Sequence, residues 1–271
     1  MGNEKQYILA GWLIDGSGDP IQNKVVLEIT EGIITDIAPY NQVDSPPASR
    51  TIDLFHCCIV PPLIDGHVHL CMSGTVNRES RENQLTAGYD ELRGVISQHL
   101  SHHLSHGVVA VRDGGDRLGS VLRYRQERGQ HEALPVTVKS PGAGWYREGR
   151  YGSLIGSAVA SSMPLSKRIV ESEVDGDHIK VVNSGMNSLN VYGRQTAPQF
   201  TGQELADIVD YGGRRGLRVM VHANGTQPVQ AAVAAGCHSV EHGFFMGTDN
   251  LDQMATKQIF WVPTLYTMKG C

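Results

Sequence analysis

The chain has 271 residues, with 23 Lys plus Arg against 28 Asp plus Glu and a net charge of -5 at pH 7. With 40% hydrophobic residues and 31 glycines its composition is globular, and at about 150 residues per domain it has room for two domains or one large one. No dense basic run, no apolar stretch near the ~20 residues of a membrane span and no basic-then-apolar leader is present, so neither nucleic acid nor membrane is expected as a partner, and a cytoplasmic location is.

Five cysteines, with Cys57 and Cys58 adjacent, form neither a CxxC pair nor an even disulfide framework, which fits free thiols in a reducing compartment. The unusual feature is the histidine count of 12, and position decides what it means.

The first 58 residues read as short strands broken by turns: Gln6 to Leu13, a turn at Asp15 to Pro20, Val25 to Ile29, a turn at Glu31-Gly32, and Ile33 to Ile37. Asp44 to Ser49, with two prolines, ends this small β module. From residue 59 to 271 strands alternate with helices, the pattern of βα units around a parallel sheet. Strands are expected at Ile59 to Leu70, Val108 to Arg112, Pro135 to Lys139, His178 to Val182, Arg218 to His222, Ser239 to His242 and Phe260 to Leu265. Helices are expected at Tyr89 to His106, Leu118 to Gln130, Leu165 to Val174 and Gly202 to Arg215, with shorter ones after Pro228 and Thr248. Thr201 and Glu204 have the spacing of a capping box.

Seven such strands fit a doubly wound sheet or a (β/α)8 barrel one strand short. The glycine-rich turn that a dinucleotide fold needs after its first strand is absent. Polar residues recur instead where strands end, the rim at which barrels do chemistry.

The first of these strands ends Ile64-Asp65-Gly66-His67-Val68-His69. Alternation puts Asp65, His67 and His69 on one face, with the two imidazoles about 7 Å apart at their backbones and able to converge on one ion. Two later strand ends each carry a histidine followed by glycine, in His222-Ala223-Asn224-Gly225 and Glu241-His242-Gly243. Singly, each is the pattern of a hydrogen-bonded core histidine; four at the ends of three strands are much harder to dismiss in that way. Lys180 lies in mid-strand between Ile179 and Val181, where an unpaired ammonium costs several kcal/mol to bury. It must neutralise, find a partner or snorkel outward. A neutral amine there can add carbon dioxide to become a carbamate, whose carboxylate-like head bridges two cations.

These residues, together with Val111-Arg112-Asp113-Gly114-Gly115, resemble the amidohydrolase superfamily, and within it the imidazolonepropionase-like and lysine-carbamate prolidase-type hydrolases. The resemblance implies a (β/α)8 TIM-type barrel, here with about seven βα units, beside a small N-terminal β-sandwich. It implies that His67 and His69 bind one metal ion, that carbamylated Lys180 bridges to a second, and that His222 and His242 bind that second ion. Two divalent ions, zinc by the chemistry of imidazole and carboxylate, then activate a water that hydrolyses a C–N bond in a small amide, cyclic amide or dipeptide. The family's proton-transferring aspartate ends an eighth strand and is expected beyond residue 271. On that ground the chain as written is expected to be a truncated, nearly inactive form of a hydrolase, one that can form a homo-oligomer.

Two other readings keep the barrel: a mononuclear deaminase in which Lys180 is no ligand, and a non-catalytic scaffold. Tyr192 and Arg194, in the loop 187–199 after the lysine strand, are suited to gripping a substrate carboxylate. Asp65 and Asp113 are either acceptors for ligand histidines or ordinary turn residues. His99, His102, His103 and His106 recur at helical spacing and read as a solvated helix surface.

Overall fold

A computed structural model describes residues 4–129, 134–172, 175–186 and 191–266. The ends of two expected helices, at Gln130 and Val174, and the start of the loop 187–199 lie outside them. The chain forms two compact units, Met1–Pro62 and Leu63–Cys271.

The first unit is one four-stranded sheet, ordered β3-β2-β1-β4, of β1 (Lys5–Leu13), β2 (Gln22–Thr30), β3 (Ile33–Pro39) and β4 (Thr51–Ile59). Glu31 and Gly32 join β2 to β3 with φ of 52° and 78°, the two positive values that a tight hairpin matching strand twist requires. Ala10, Leu13, Val25 and Leu27 form its buried core, with Ile8 and Ile59 packed against them. The expected end of the module at Ser49 is corrected here. The chain returns as β4, parallel to β1, and Gly11 is needed because a Cβ there would lie 2.1 Å from the Phe55 carbonyl oxygen. Among the described residues the first unit holds this one sheet and no second, so it does not form the expected sandwich.

The second unit is α/β. All its strand pairs are parallel and fall into two sheets. The smaller is β5-β6-β7, made of β5 (Leu63–Val68), β6 (Val108–Asp113) and β7 (Thr137–Lys139). The larger, ordered β13-β12-β11-β10-β8-β9, holds β8 (Gly144–Arg147), β9 (Gly156–Val159), β10 (His178–Val182), β11 (Arg218–Ala223), β12 (Ser239–His242) and β13 (Phe260–Val262). Each expected strand position holds a strand; β8 and β9 are additions from a glycine-rich stretch without strand periodicity. Among the described residues no strand pairing joins β5 to β13, so no closed barrel is present.

Seven helices cover this unit among the described residues: α1 (Arg78–Thr86), α2 (Tyr89–Ser105), α3 (Ser120–Gly129), α4 (Leu165–Glu171), α5 (Gly202–Arg214), α6 (Thr226–Ala234) and α7 (Thr248–Thr256). α6 begins two residues before Pro228, which sits in its first turn where no helical N–H is lost. None of these helices is long and apolar enough to cross a membrane. Ile179, Val181, Val219, Val221, Ala223 and Val240 pack under α4, α5 and α6 in one apolar layer with Leu205, Ile208 and Val229. Each fully buried aliphatic side chain contributes about 1.5–3 kcal/mol. That layer fixes the register: alternation turns Lys180, Met220, His222, Ser239 and Glu241 to the opposite face.

The capping box at α5 is formed: Thr201 Oγ accepts from the Glu204 N–H, and Glu204 Oε2 accepts from the Thr201 N–H. Arg147 also donates to Glu204 at 2.6 Å. Burial pushes the Glu204 carboxyl up, but the bonds from Thr201 and Arg147 outweigh it and hold it below its ordinary value. A depressed carboxyl adds stability above the ordinary glutamate range and loses it as pH falls through the folded value. Thr201→Ala is therefore expected to cost about 1 kcal/mol. Glu204→Gln should lower stability near neutrality but converge on wild type in acid, as read by urea unfolding at a series of pH values.

Candidate metal centre

β5 delivers His67, and the chain just after it delivers His69; His222 is the penultimate residue of β11, His242 the last of β12, and Lys180 lies on β10, the neighbour of β11. The four imidazoles form a contiguous group. Ring centroids are 5.4 Å apart for His67 and His69, 4.9 Å for His67 and His242, and 4.6 Å for His222 and His242.

Each ring commits one nitrogen to a neighbour. His67 Nδ1 lies 2.7 Å from Glu241 Oε2, and His242 Nδ1 lies 2.7 Å from Thr264 Oγ1. His69 Nδ1 donates to the Gly115 carbonyl at 2.9 Å, and His222 Nε2 donates to the Gly185 carbonyl at 3.2 Å. The other nitrogen of each ring has no hydrogen-bond partner among the described residues.

Lys180 is fully buried, and its Nζ has no hydrogen-bond partner among the described residues. The outward, snorkelling alternative is therefore wrong for this chain: parity with the apolar layer turns the amine inward. Desolvation lowers its pKa to about 8. Desolvation likewise lowers His69 to about 4 and His222 to about 3, with the Lys180 charge the next cause in both. His67 and His242 are also held well below the usual imidazole value, chiefly by burial. The interior thus favours neutral bases with free lone pairs, the form in which imidazole binds metal.

Among the described residues no three His, Cys, Asp or Glu side chains already form a metal cage. The donor chemistry nevertheless fits divalent cations. Four neutral imidazoles, each with one nitrogen tied and one free, surround an unpartnered amine, and the tied nitrogens orient the rings as the outer partners of metal-ligating histidines do.

Both aspartates act on backbone. Asp65 accepts from the His67 N–H at 3.0 Å. Asp113 is fully buried and accepts from the N–H groups of Leu70 at 3.0 Å and Gly115 at 2.8 Å, which fixes the carbonyl that His69 bonds. Burial raises Asp113 to about 7. His99 departs from the expected solvated surface: it is half-buried, with Nδ1 donating to the Leu70 carbonyl at 2.8 Å and Nε2 lying 3.1 Å from Ser73 Oγ. Tyr192 is 92% exposed, its ring 5.1 Å from that of Phe245, and Arg194 is exposed; neither contacts the histidine group.

Four residues escaped sequence reasoning. Arg112 and Glu241 lie in strands, and the argument applied to Lys180, that a charged residue in a strand must find a partner, would have singled them out. Thr264, with φ of 46°, meets His242, with φ of 66°; a turn of that kind leaves no pattern in the sequence. Tyr151 packs 5.4 Å from the His222 ring from the turn between β8 and β9, which carries no strand signal either.

Comparison with known proteins assigns the class. Residues 58–257 match the model of the amidohydrolase family, and the chain belongs to that family. It is similar to ochratoxinase from Aspergillus niger, 25% identical over 95% of this chain and 58% of that protein, so the chain spans little more than half that relative's length. Imidazolonepropionase from Yersinia enterocolitica is 29% identical over 42% of this chain and 34% of its own length. Among solved structures, a Xaa-Pro dipeptidase with bound methionine in the active site superposes with a TM-score of 0.76 at 26% identity, covering 97% of this chain and 67% of that one.

His69 also sets a steric condition. A Cβ on Gly114 would lie 2.6 Å from its Cε1, closer than packed atoms approach. Gly114→Ala is expected to displace the ring and cost about 1–3 kcal/mol, a Tm loss of several degrees in thermal unfolding.

Proposed function

We propose that this chain carries the metal centre of a hydrolase that cleaves an amide-type C–N bond in a small substrate, an amide, cyclic amide or dipeptide. Its second unit is read as the greater part of a (β/α)8 barrel and its first as one layer of a β-sandwich. One observation carries the reading: a fully buried, unpartnered Lys180 amine among four histidines that each keep one nitrogen free.

His67 and His69 would hold one divalent cation, and His222 and His242 a second. A carbamate on Lys180 would join them. In carbamate formation the neutral Nζ attacks the carbon of CO2, a C–N bond forms as one C–O π bond opens with its electron pair passing to oxygen, and one proton leaves nitrogen for solvent. Desolvation supplies the neutral amine. Two bound cations, zinc the expected pair, would supply Lewis acidity and a water of lowered pKa.

The chain's own groups do the rest. Glu241, Gly115, Gly185 and Thr264 keep the rings oriented. Asp113 holds the backbone on which His69 depends. Tyr192 and Arg194, on the loop after β10, are proposed to hold a substrate carboxylate. Proton delivery to the leaving nitrogen is assigned to an aspartate on a further strand, as the family resemblance implies.

Zinc stoichiometry and the lysine modification test this. The chain, incubated with zinc and 13C-bicarbonate, is expected to bind two ions and to show a carbamate carbon signal that Lys180→Met abolishes along with one ion. Because only the neutral amine reacts, uptake should rise as pH approaches about 8 and fall below it. Two ions bound equally well by Lys180→Met would refute the bridging role, and a single ion would favour the mononuclear arrangement.

A further inference from the structure

The Arg112 guanidinium crosses the inside of the second unit. Its Nε donates to the Gly66 carbonyl on β5 at 2.8 Å, one terminal nitrogen donates to Ser239 Oγ at 2.9 Å, and the other donates to Glu241 Oε1 at 2.8 Å. Gly66 belongs to the smaller sheet, Ser239 and Glu241 to the larger. Glu241 is fully buried, and both its oxygens are used: Oε1 also accepts from Ser239 Oγ at 2.6 Å, while Oε2 faces His67 Nδ1 at 2.7 Å.

A guanidinium stays charged and presents its donors in a rigid plane. With two donors already on Oε1, the carboxylate's remaining oxygen can only accept from the imidazole. The shared proton then sits on His67 Nδ1 and leaves the Nε2 lone pair free. A charge pair with a fully buried carboxylate and a guanidinium only 28% exposed is a costly element, and replacing both partners of such a pair by apolar groups often leaves stability unchanged. Fold stability alone therefore gives little reason for Arg112 and Glu241, whereas fixing one imidazole tautomer does.

We infer that Arg112 and Glu241 are positioning residues that set the affinity of the metal centre through His67, Arg112 by orienting the Glu241 carboxylate and Glu241 by holding the proton on Nδ1. This rests on the metal-centre reading above. It adds a specific path, from β6 through β12 back to β5, along which a residue that touches no ligand controls one that does. It also makes Arg112→Lys a non-conservative change, because an ammonium cannot reach Gly66, Ser239 and Glu241 in one plane.

The test measures zinc affinity of the full chain by competition with a chromogenic chelator, beside 15N shifts of the His67 ring in the zinc-free protein. Glu241→Gln and Arg112→Lys are expected to bind zinc 10- to 100-fold more weakly. The His67 signals should move from the Nδ1–H tautomer toward a mixture. In a His67→Ala background the Glu241→Gln change should cost no further affinity.

Should the single variants fail to fold, Arg112→Met/Glu241→Leu removes both charges together and is expected to fold with the same loss of zinc affinity. Folded variants that bind zinc within threefold of wild type overturn the inference, as does an equal loss in the His67→Ala background. A wild-type chain that takes up no zinc overturns the metal reading and the inference with it.

Discussion

A buried carboxylate held by an arginine that reaches it from the other sheet is the interaction on which the orientation of His67, and with it the candidate metal centre, depends. Among the described residues the strands of this unit fall into two sheets with no strand pairing between β5 and β13, so backbone hydrogen bonding does not join those edges. Arg112 bonds across the two sheets with its side chain, to Gly66 in the smaller and to Ser239 and Glu241 in the larger. On the other side the connection is made by loops: the Ser140 N–H donates to Asp177 Oδ2, and the Asp177 N–H donates to the Ser140 carbonyl. His67 and His69 come from the smaller sheet and Lys180, His222 and His242 from the larger.

Desolvation does the rest of the work. Four imidazoles and an amine in one interior would repel one another if protonated, and burial withdraws the water that would screen them. The outcome is a set of neutral imidazoles, far below their usual value, and a Lys180 amine lowered to about 8, within reach of its neutral form. The same withdrawal raises Asp113 to about 7, although two backbone N–H groups oppose the shift. Neutral nitrogens with free lone pairs are poor for hydration and good for cations. The architecture therefore concentrates donors for which bulk solvent no longer competes.

Much of this was legible in the residues. Apolar runs at 178–182 and 218–222 gave β10 and β11 because strands buried on both faces read as continuous Val and Ile. The Thr201 and Glu204 spacing marked the start of α5. Elements whose formation depends on distant partners were not legible. β4 is interrupted by Asp53 and His56 and is a strand because β1 lies beside it. β8 and β9 arise in a glycine-rich stretch, where a Cβ on Gly156 would lie 1.9 Å from the Gly144 carbonyl oxygen, an approach that no single-sequence pattern announces. His99 read as surface because helical spacing locates a face but not what covers it.

The sequence by itself determined the alternation of strands and helices, the parity that puts His67 and His69 on one side of a strand, and the presence of an ionisable residue where β10 should be apolar. These follow from local geometry, which has fixed periods of 2.0 and 3.6 residues. Only the tertiary structure decided that Lys180 turns inward, that Asp65 and Asp113 serve backbone, and that Glu241 completes His67. Those outcomes depend on which faces are dehydrated and on which groups, 174 residues apart in the case of His67 and Glu241, come within hydrogen-bond reach. Burial is a property of the assembled chain.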